Sequence, residues 1–318
     1  MASVEKFGDV ESMPKIYPIG GGKGGVGKSF VAASLGALIA RHGRTVALID
    51  LDLGASNLHT FLGMPASKDG LNLFLNKNAP TLESVAVPTP VTNLSLISSS
   101  NCSMEIANLF YAQKIKLISA IKKLPFDCVI IDLGAGTNFN TLDFFLIASK
   151  GIFVCTPEPT SIENAFRFIK AVYLRKIKQL IKRHDFDAQA KAAVQDTDSD
   201  ALTAQDIIDI VATYDPEKEP FFKARIGRFQ FKLVLNQFRK NADACLGHKI
   251  EAVCNRHFYS PFEFLGGVAF DERVIDSIYA RKLYVKNYPA TATTMELKQI
   301  AELLTNGQPA SALLRQVL

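Results

Sequence analysis

The chain has 318 residues, 48% apolar and 21% charged, with a net charge of +5. That length suits one large domain with a substantial core, the apolar share excludes general disorder, and the charge falls well short of a dedicated nucleic-acid binder. Five cysteines, Cys102, Cys128, Cys155, Cys245 and Cys254, are odd in number and widely spaced, so they read as reduced thiols of a cytosolic protein. The first residues lack the charged-then-apolar layout of a signal peptide, and no apolar run reaches the roughly 18 residues that span a bilayer. A cytoplasmic protein is expected, with peripheral membrane contact left open.

Residues 1–14 are polar and without a period, which predicts a loose leader. A strand is predicted over 15–19, although it contains Pro18, a residue that cannot donate to a ladder and is uncommon in central strands. Alanine-rich residues 30–40 predict a helix that Gly43 stops. The next strand, 45–49, runs into Asp50-Leu51-Asp52. Leu94–Ile97 reads as a short strand, 104–124 as an amphipathic helix, 128–131 as an apolar strand closing on Asp132, and 152–155 as another of that type. Residues 162–184 form a long helix whose second half is basic on one face. Beyond it, 185–223 is acidic and polar with one helix at Ala204–Tyr214, where Thr203 and Asp206 have capping-box spacing. Being short and poor in apolar residues, this stretch is read as a helical insertion and not a second domain. Strands at 232–235 and 265–269 complete the series. Short β-branched runs alternating with helices predict an α/β fold, a doubly wound, mostly parallel sheet with helices on both faces. The domain is assigned to 15–305, with the insertion at 185–223 and a tail at 306–318.

The segment Gly22-Lys23-Gly24-Gly25-Val26-Gly27-Lys28-Ser29 fits the phosphate-binding loop pattern, and it lies between a predicted strand and a predicted helix, the context that gives the pattern meaning. Glycines let the backbone curl so that successive N–H groups face phosphate oxygens, and the helix entered at Phe30 adds its positive end. Lys28 is placed to neutralise β- and γ-phosphates, and Ser29 to offer its hydroxyl to Mg²⁺, which takes an octahedral oxygen shell. The bland alternative is a glycine-rich turn that matches by chance. Asp50 and Asp52 close the second strand at the carboxyl edge of the sheet, where ligands bind in open α/β folds. Asp132 closes a later strand, where an acid can hold a metal-bound water, and Gly134 and Gly136 after it let backbone approach and release a γ-phosphate.

With its second lysine, Lys23, the loop Gly-Gly-Lys-Gly-Gly-Val-Gly-Lys-Ser resembles the deviant Walker A loop of the MinD/ParA family of P-loop ATPases. The likeness covers about residues 15–305 and implies the P-loop NTPase fold, with ATP and Mg²⁺ as cofactors. In that family the extra lysine reaches across a dimer interface, so Lys23 is implied to act on the partner copy's phosphates while Lys28 acts on those of its own copy. Asp50-Leu51-Asp52-Leu53-Gly54-Ala55-Ser56-Asn57 is similar to switch I. Carried over, Asp52 orients the attacking water and Asp50 supports the Mg²⁺ shell or Ser29, with capping of the next helix as the alternative for Asp50. Asp132 and Gly136 match Walker B and switch II, so Ser29, Asp50 and Asp132 form the implied metal set. Gly22, Gly24, Gly25, Val26, Gly27, Lys28, Ser29, Phe30, Gly136 and Asn236 form the implied nucleotide set, with Asn236 at the adenine edge. Gly266-Gly267-Val268-Ala269-Phe270-Asp271 is similar to a loop that usually carries a proline where Phe270 stands. Leu53 to His59 and Thr156-Pro157-Glu158-Pro159-Thr160 also resemble the FlhG/FleN flagellar-number branch, but the leader has no Asp-Gln-Ala-x-x-Leu-Arg motif.

The function implied is a slow, partner-stimulated ATPase that dimerises on ATP and positions or counts a cellular structure, with a second copy and an activating protein as partners. A ParA-like partitioning cycle would need a DNA-binding patch, which Arg175, Lys176, Lys178, Lys182 and Arg183 could supply unless they form a solvated helix face. A membrane cycle would need an amphipathic tail, and residues 310–318 carry one cation, Arg315. Metal-cluster carriers of the superfamily need paired cysteines, and the chain has no Cys-x-x-Cys. A biosynthetic ligase of the superfamily would add a substrate pocket.

Overall fold

The computed structural model describes residues 13–54, 56–67, 69–100, 109–196 and 204–306. Most of the predicted leader, the start of the helix expected at 104–124, Cys102, Thr203 and the tail with Arg315 lie outside the described residues. In chain order the elements are β1 (Lys15–Gly20), α1 (Lys28–Arg41), β2 (Val46–Leu51), α2 (Leu58–Phe61), α3 (Leu71–Leu75), β3 (Val87–Pro88) and β4 (Leu94–Ile97). Then come α4 (Tyr111–Ile121), β5 (Cys128–Leu133), α5 (Phe139–Phe145), β6 (Lys150–Cys155), α6 (Pro159–Arg183), α7 (Ala188–Asp196), α8 (Ala204–Tyr214) and α9 (Glu219–Gly227). The series closes with β7 (Gln230–Phe238), α10 (Leu246–His257), β8 (Phe262–Ala269), α11 (Arg273–Tyr279), α12 (Tyr284–Asn287) and α13 (Ala292–Asn306).

Among the described residues eight strands form one sheet in the order β3-β4-β2-β5-β1-β6-β7-β8, and of these only the two-residue edge strand β3 runs antiparallel. Strands buried on both faces need runs of apolar side chains, and β2 and β5 begin with four apolar residues each before Asp50 and Asp132. Val46, Leu48, Cys128 and Ile130 face α1 and α13, while Ala47, Ile49, Val129 and Ile131 face α4, α5 and α6. The fold is thus the doubly wound sheet with helices on both faces that the alternation of elements predicts. Pro18 is accommodated because β1 pairs with β5 along its length but with β6 only at Ile19 and Gly20. Tyr17 is further tied to α13 by its hydroxyl, which donates to the Leu304 carbonyl at 2.8 Å.

Short as the segment at 185–223 is, its apolar residues gather on one side. Phe186, Val194, Ile207, Val211 and Phe222 pack with Ile177 and Ile181 of α6 into a core separate from the two that flank the sheet. Among the described residues no helix is long and apolar enough to cross a membrane.

Candidate nucleotide site

In an open α/β sheet the strand order reverses at one point, and a crevice opens there at the carboxyl ends. Here β1 lies between β5 and β6 at that reversal, so the loop from β1 to α1 sits over the crevice. Gly27 at the start of α1 has φ +91°, and a Cβ there would meet Asn236 Nδ2 at 2.1 Å. Gly22 is required by close approach: a Cβ would fall 2.0 Å from the Asn164 carbonyl oxygen on α6. No side chain caps α1, so its first N–H groups are left to face a ligand.

Beside this terminus is a cavity of about 770 Å³. Of the residues predicted from sequence, Gly24, Gly25, Gly27, Lys28, Ser29, Phe30, Asp52 and Asn236 line it. Gly22, Lys23, Val26, Asp50, Asp132 and Gly136 do not line it, and their contacts say what each does. Val26 is buried, and its carbonyl accepts from Asn236 Nδ2 at 2.9 Å, so the amide predicted at the adenine edge braces the loop. Gly136 N donates to the Gly21 carbonyl at 3.3 Å, joining the segment after β5 to the loop. Lys23 is exposed, with Nζ 3.5 Å from Thr160 Oγ1.

Asp50 is fully buried and occupied by protein donors. It accepts from the Ser56 hydroxyl at 2.6 Å, Leu58 N at 3.1 Å and Asp52 N at 3.1 Å. The bond to Leu58 N, at the first turn of α2, favours the capping alternative for this carboxyl. Asp132 is different. It too is buried, its Oδ1 has no hydrogen-bond partner, and its bond to Ser29 points it at the loop. Burial first, and then the Asp50 charge, push its pKa up to about 8 against the opposing pull of Ser29 and Lys28. Lys28 is also buried; desolvation lowers its pKa, while Asp132 and Asp52 oppose that shift. A buried, unpartnered carboxyl oxygen behind a serine hydroxyl fits a cation, and an uncapped helix start with a lysine fits an anion.

Sequence reasoning missed the other wall. Phe61, Val274, Ile275 and Ile278, from the short helices α2 and α11, give the cavity an apolar side. Gln237, at φ +56° in an irregular part of β7, donates from Nε2 to the Gly25 carbonyl at 3.1 Å. Phe270 and Asp271, from the loop that the sequence did single out, also line the cavity, and the Arg239 guanidinium lies 4.0 Å from the Phe270 ring centre. Gln237, directly after the predicted Asn236, was the available signal for this edge.

A model of the CobQ/CobB/MinD/ParA nucleotide binding domain matches residues 18–283, most of the chain. The chain belongs to this family. Among curated members of the MinD/ParA group, the septum site-determining protein MinD of Synechocystis sp. is 32% identical over 176 residues, 54% of this chain and 65% of its own length. The antiactivator FleN of Pseudomonas aeruginosa is 28% identical over 158 residues, 49% of this chain and 55% of its own length. The chain spans less than two thirds of the length of these curated relatives. The structure of MinD complexed with Mg-ADP from Pyrococcus horikoshii shares the fold, with a TM-score of 0.62 at 18% identity, over 92% of this chain and 96% of that one.

Proposed function

We propose that the chain is a Mg-ATP-dependent ATPase switch of the MinD/ParA type that dimerises on ATP and positions or counts a cellular structure. The observation that carries this reading is Lys28, buried at an uncapped helix start between Asp52 and Asp132 and lining the cavity. An ammonium in that setting is poised for the β- and γ-phosphates, whose charge replaces the water it has lost. Solved relatives named as bound to Mg-ADP and to AMPPNP support the ligand class. Mg²⁺ would be held by the Ser29 hydroxyl and, through water, by Asp132, and when bound it neutralises phosphate charge.

The chemistry is hydrolysis: water adds to the γ-phosphorus, the bond to the β–γ bridging oxygen breaks, and ADP and phosphate leave. Asp52, at the cavity wall beside Gly134, orients the attacking water. Lys28 offsets charge on the transferring group from its own side. Lys23, outside its own cavity lining, is available to a second copy, and a solved relative described as a MinC:MinD cell division protein complex supports partner control. Residues 15–305 act as the ATPase unit in this reading, with 185–223 as an insertion upon it. The basic run of α6 does not favour the DNA-partitioning alternative, because Arg175 is bonded to Asp143 and Lys176 is partly buried.

Lys28→Ala removes the main side-chain cation of the phosphate site. ATP affinity in a calorimetric titration should fall by roughly 100-fold or more, equivalent to about 3 kcal/mol. Unchanged affinity would overturn the assignment.

A further inference from the structure

A regular strand sends consecutive side chains to opposite faces of its sheet. At the end of β7 that alternation fails. Asn236 and Gln237 are neighbours, yet both donate to the loop at 22–29, Asn236 Nδ2 to the Val26 carbonyl at 2.9 Å and Gln237 Nε2 to the Gly25 carbonyl at 3.1 Å. The register of β7 against β8 slips between Leu235 and Phe238, and inside the slip Gln237 has φ +56°. That is the left-handed region, which glutamine rarely enters, and an irregularity of this kind re-aims a side chain. The strand before it is firm: Leu233, Val234 and Leu235 are buried and in register with Phe153, Val154 and Cys155 of β6. A strained residue on a rigid support beside a cavity points to a role for its side chain.

The two carbonyls held by these amides are consecutive as well. In a trans peptide the carbonyl and the following N–H point in opposite directions, and among the described residues no peptide is cis. Holding the Gly25 and Val26 carbonyls toward β7 therefore turns the N–H groups of Val26 and Gly27 away from it. Gly25 and Gly27 line the cavity with φ +79° and +91°, and glycine peptides rotate freely unless something outside them fixes their direction.

We propose that Gln237 is a positioning residue for the phosphates. With Asn236 it locks two successive peptides of the loop, so that the Val26 and Gly27 N–H groups are aimed at phosphate oxygens before the nucleotide arrives. Ordering the loop in advance removes a cost that binding would otherwise carry. The backbone strain at Gln237 is the counterpart of that gain, because only the left-handed turn brings its amide to the Gly25 carbonyl. The inference rests on the reading of 22–29 as a phosphate loop and names the residue that sets its shape. Gln237 serves the triphosphate in this account and not the choice of base.

The test is Gln237→Gly in the full chain, which removes the amide while suiting the positive φ, so that no backbone strain is added. Calorimetric affinities for Mg-ATP and for magnesium tripolyphosphate should fall by the same factor, about fivefold or more, with the ratio of ATP to GTP affinity unchanged. The melting temperature should stay within about 3 °C of the parent's, since relief of strain offsets the lost bond. In the nucleotide-free chain, amide exchange at Val26 and Gly27, read by nuclear magnetic resonance, should quicken. Unchanged affinity or unchanged exchange overturns the proposal. So does a loss confined to ATP while tripolyphosphate binding is kept, which makes Gln237 a contact to the nucleoside. A larger drop in melting temperature also overturns it, by making Gln237 a structural residue. A parent chain that binds neither ligand refutes the phosphate-loop reading instead, and the exchange measurement, which uses no ligand, still decides whether Gln237 holds the loop.

Discussion

Asp132 is held where a carboxylate is costly, and the fold keeps it there without a partner for one oxygen. Its pKa moves from 3.8 to about 8, chiefly by burial and then by the Asp50 charge. Between those values the folded chain holds a proton that the unfolded chain has lost, so stability falls as pH rises through that window and levels off above it. Asp132→Asn keeps the group neutral and removes this slope. Without nucleotide or metal, the Asn variant should melt higher than the parent near pH 8, by on the order of a few kcal/mol, with a smaller gap near pH 5. An equal gap at both pH values in thermal melts would show that burial does not hold the proton. Asn236 makes the complementary point for a neutral group: its Nδ2 is bonded to the Val26 carbonyl, so it braces the loop.

At the scale of elements, α5 is fastened to its neighbours through one buried acid. Asp143 accepts from Lys114 on α4 and from Arg175 and Gln179 on α6. Burial works against its charge, but the bonds from Arg175 and Lys114 prevail and hold its carboxyl below the ordinary range. A depressed carboxyl stabilises the fold above its unfolded pKa, and that contribution fades as pH falls through the folded value. Asp143→Asn leaves Lys114 buried without its counter-charge and should cost about 3 kcal/mol near neutral pH, read from the urea midpoint at constant m. It should also flatten the acid limb of the stability curve. A loss below about 0.5 kcal/mol would mean that these contacts are surface-like in strength.

For the whole molecule the deciding question is whether one copy completes the site. Lys23 is exposed beside Thr160 and is not part of its own cavity lining, whereas Lys28 is. If Lys23 is donated across the interface, each triphosphate would meet Lys28 of its own copy and Lys23 of the partner, and nucleotide would tie the two copies together. In an Asp52→Ala background, light scattering should show a dimer in ATP and a monomer in ADP, and Lys23→Gln should abolish the ATP dimer without loss of ATP binding. A dimer that forms equally in ADP, or that ignores Lys23, would leave this lysine an ordinary loop residue.

What the amino-acid order determined was local. The loop at 22–29 and the acids at 50, 52 and 132 were legible because glycine spacing, strand ends and helix starts are properties of a few consecutive residues. The parallel sheet was legible because burial on both faces demands runs of apolar residues such as Cys128 to Ile131 in β5. Long-range packing decided the rest. The apolar cavity wall joins α2 to α11, elements about two hundred residues apart that are too short to show a period of their own. The basic run of α6 reads as one face, yet Asp143 on α5 takes Arg175, and Lys176 is partly buried near Lys122 and Arg225. Asp50 and Asp132 both end strands, and β2 and β5 place them directly opposite each other in register. Only the tertiary structure could separate them, by giving Asp50 its donors at α2 and leaving an oxygen of Asp132 bare.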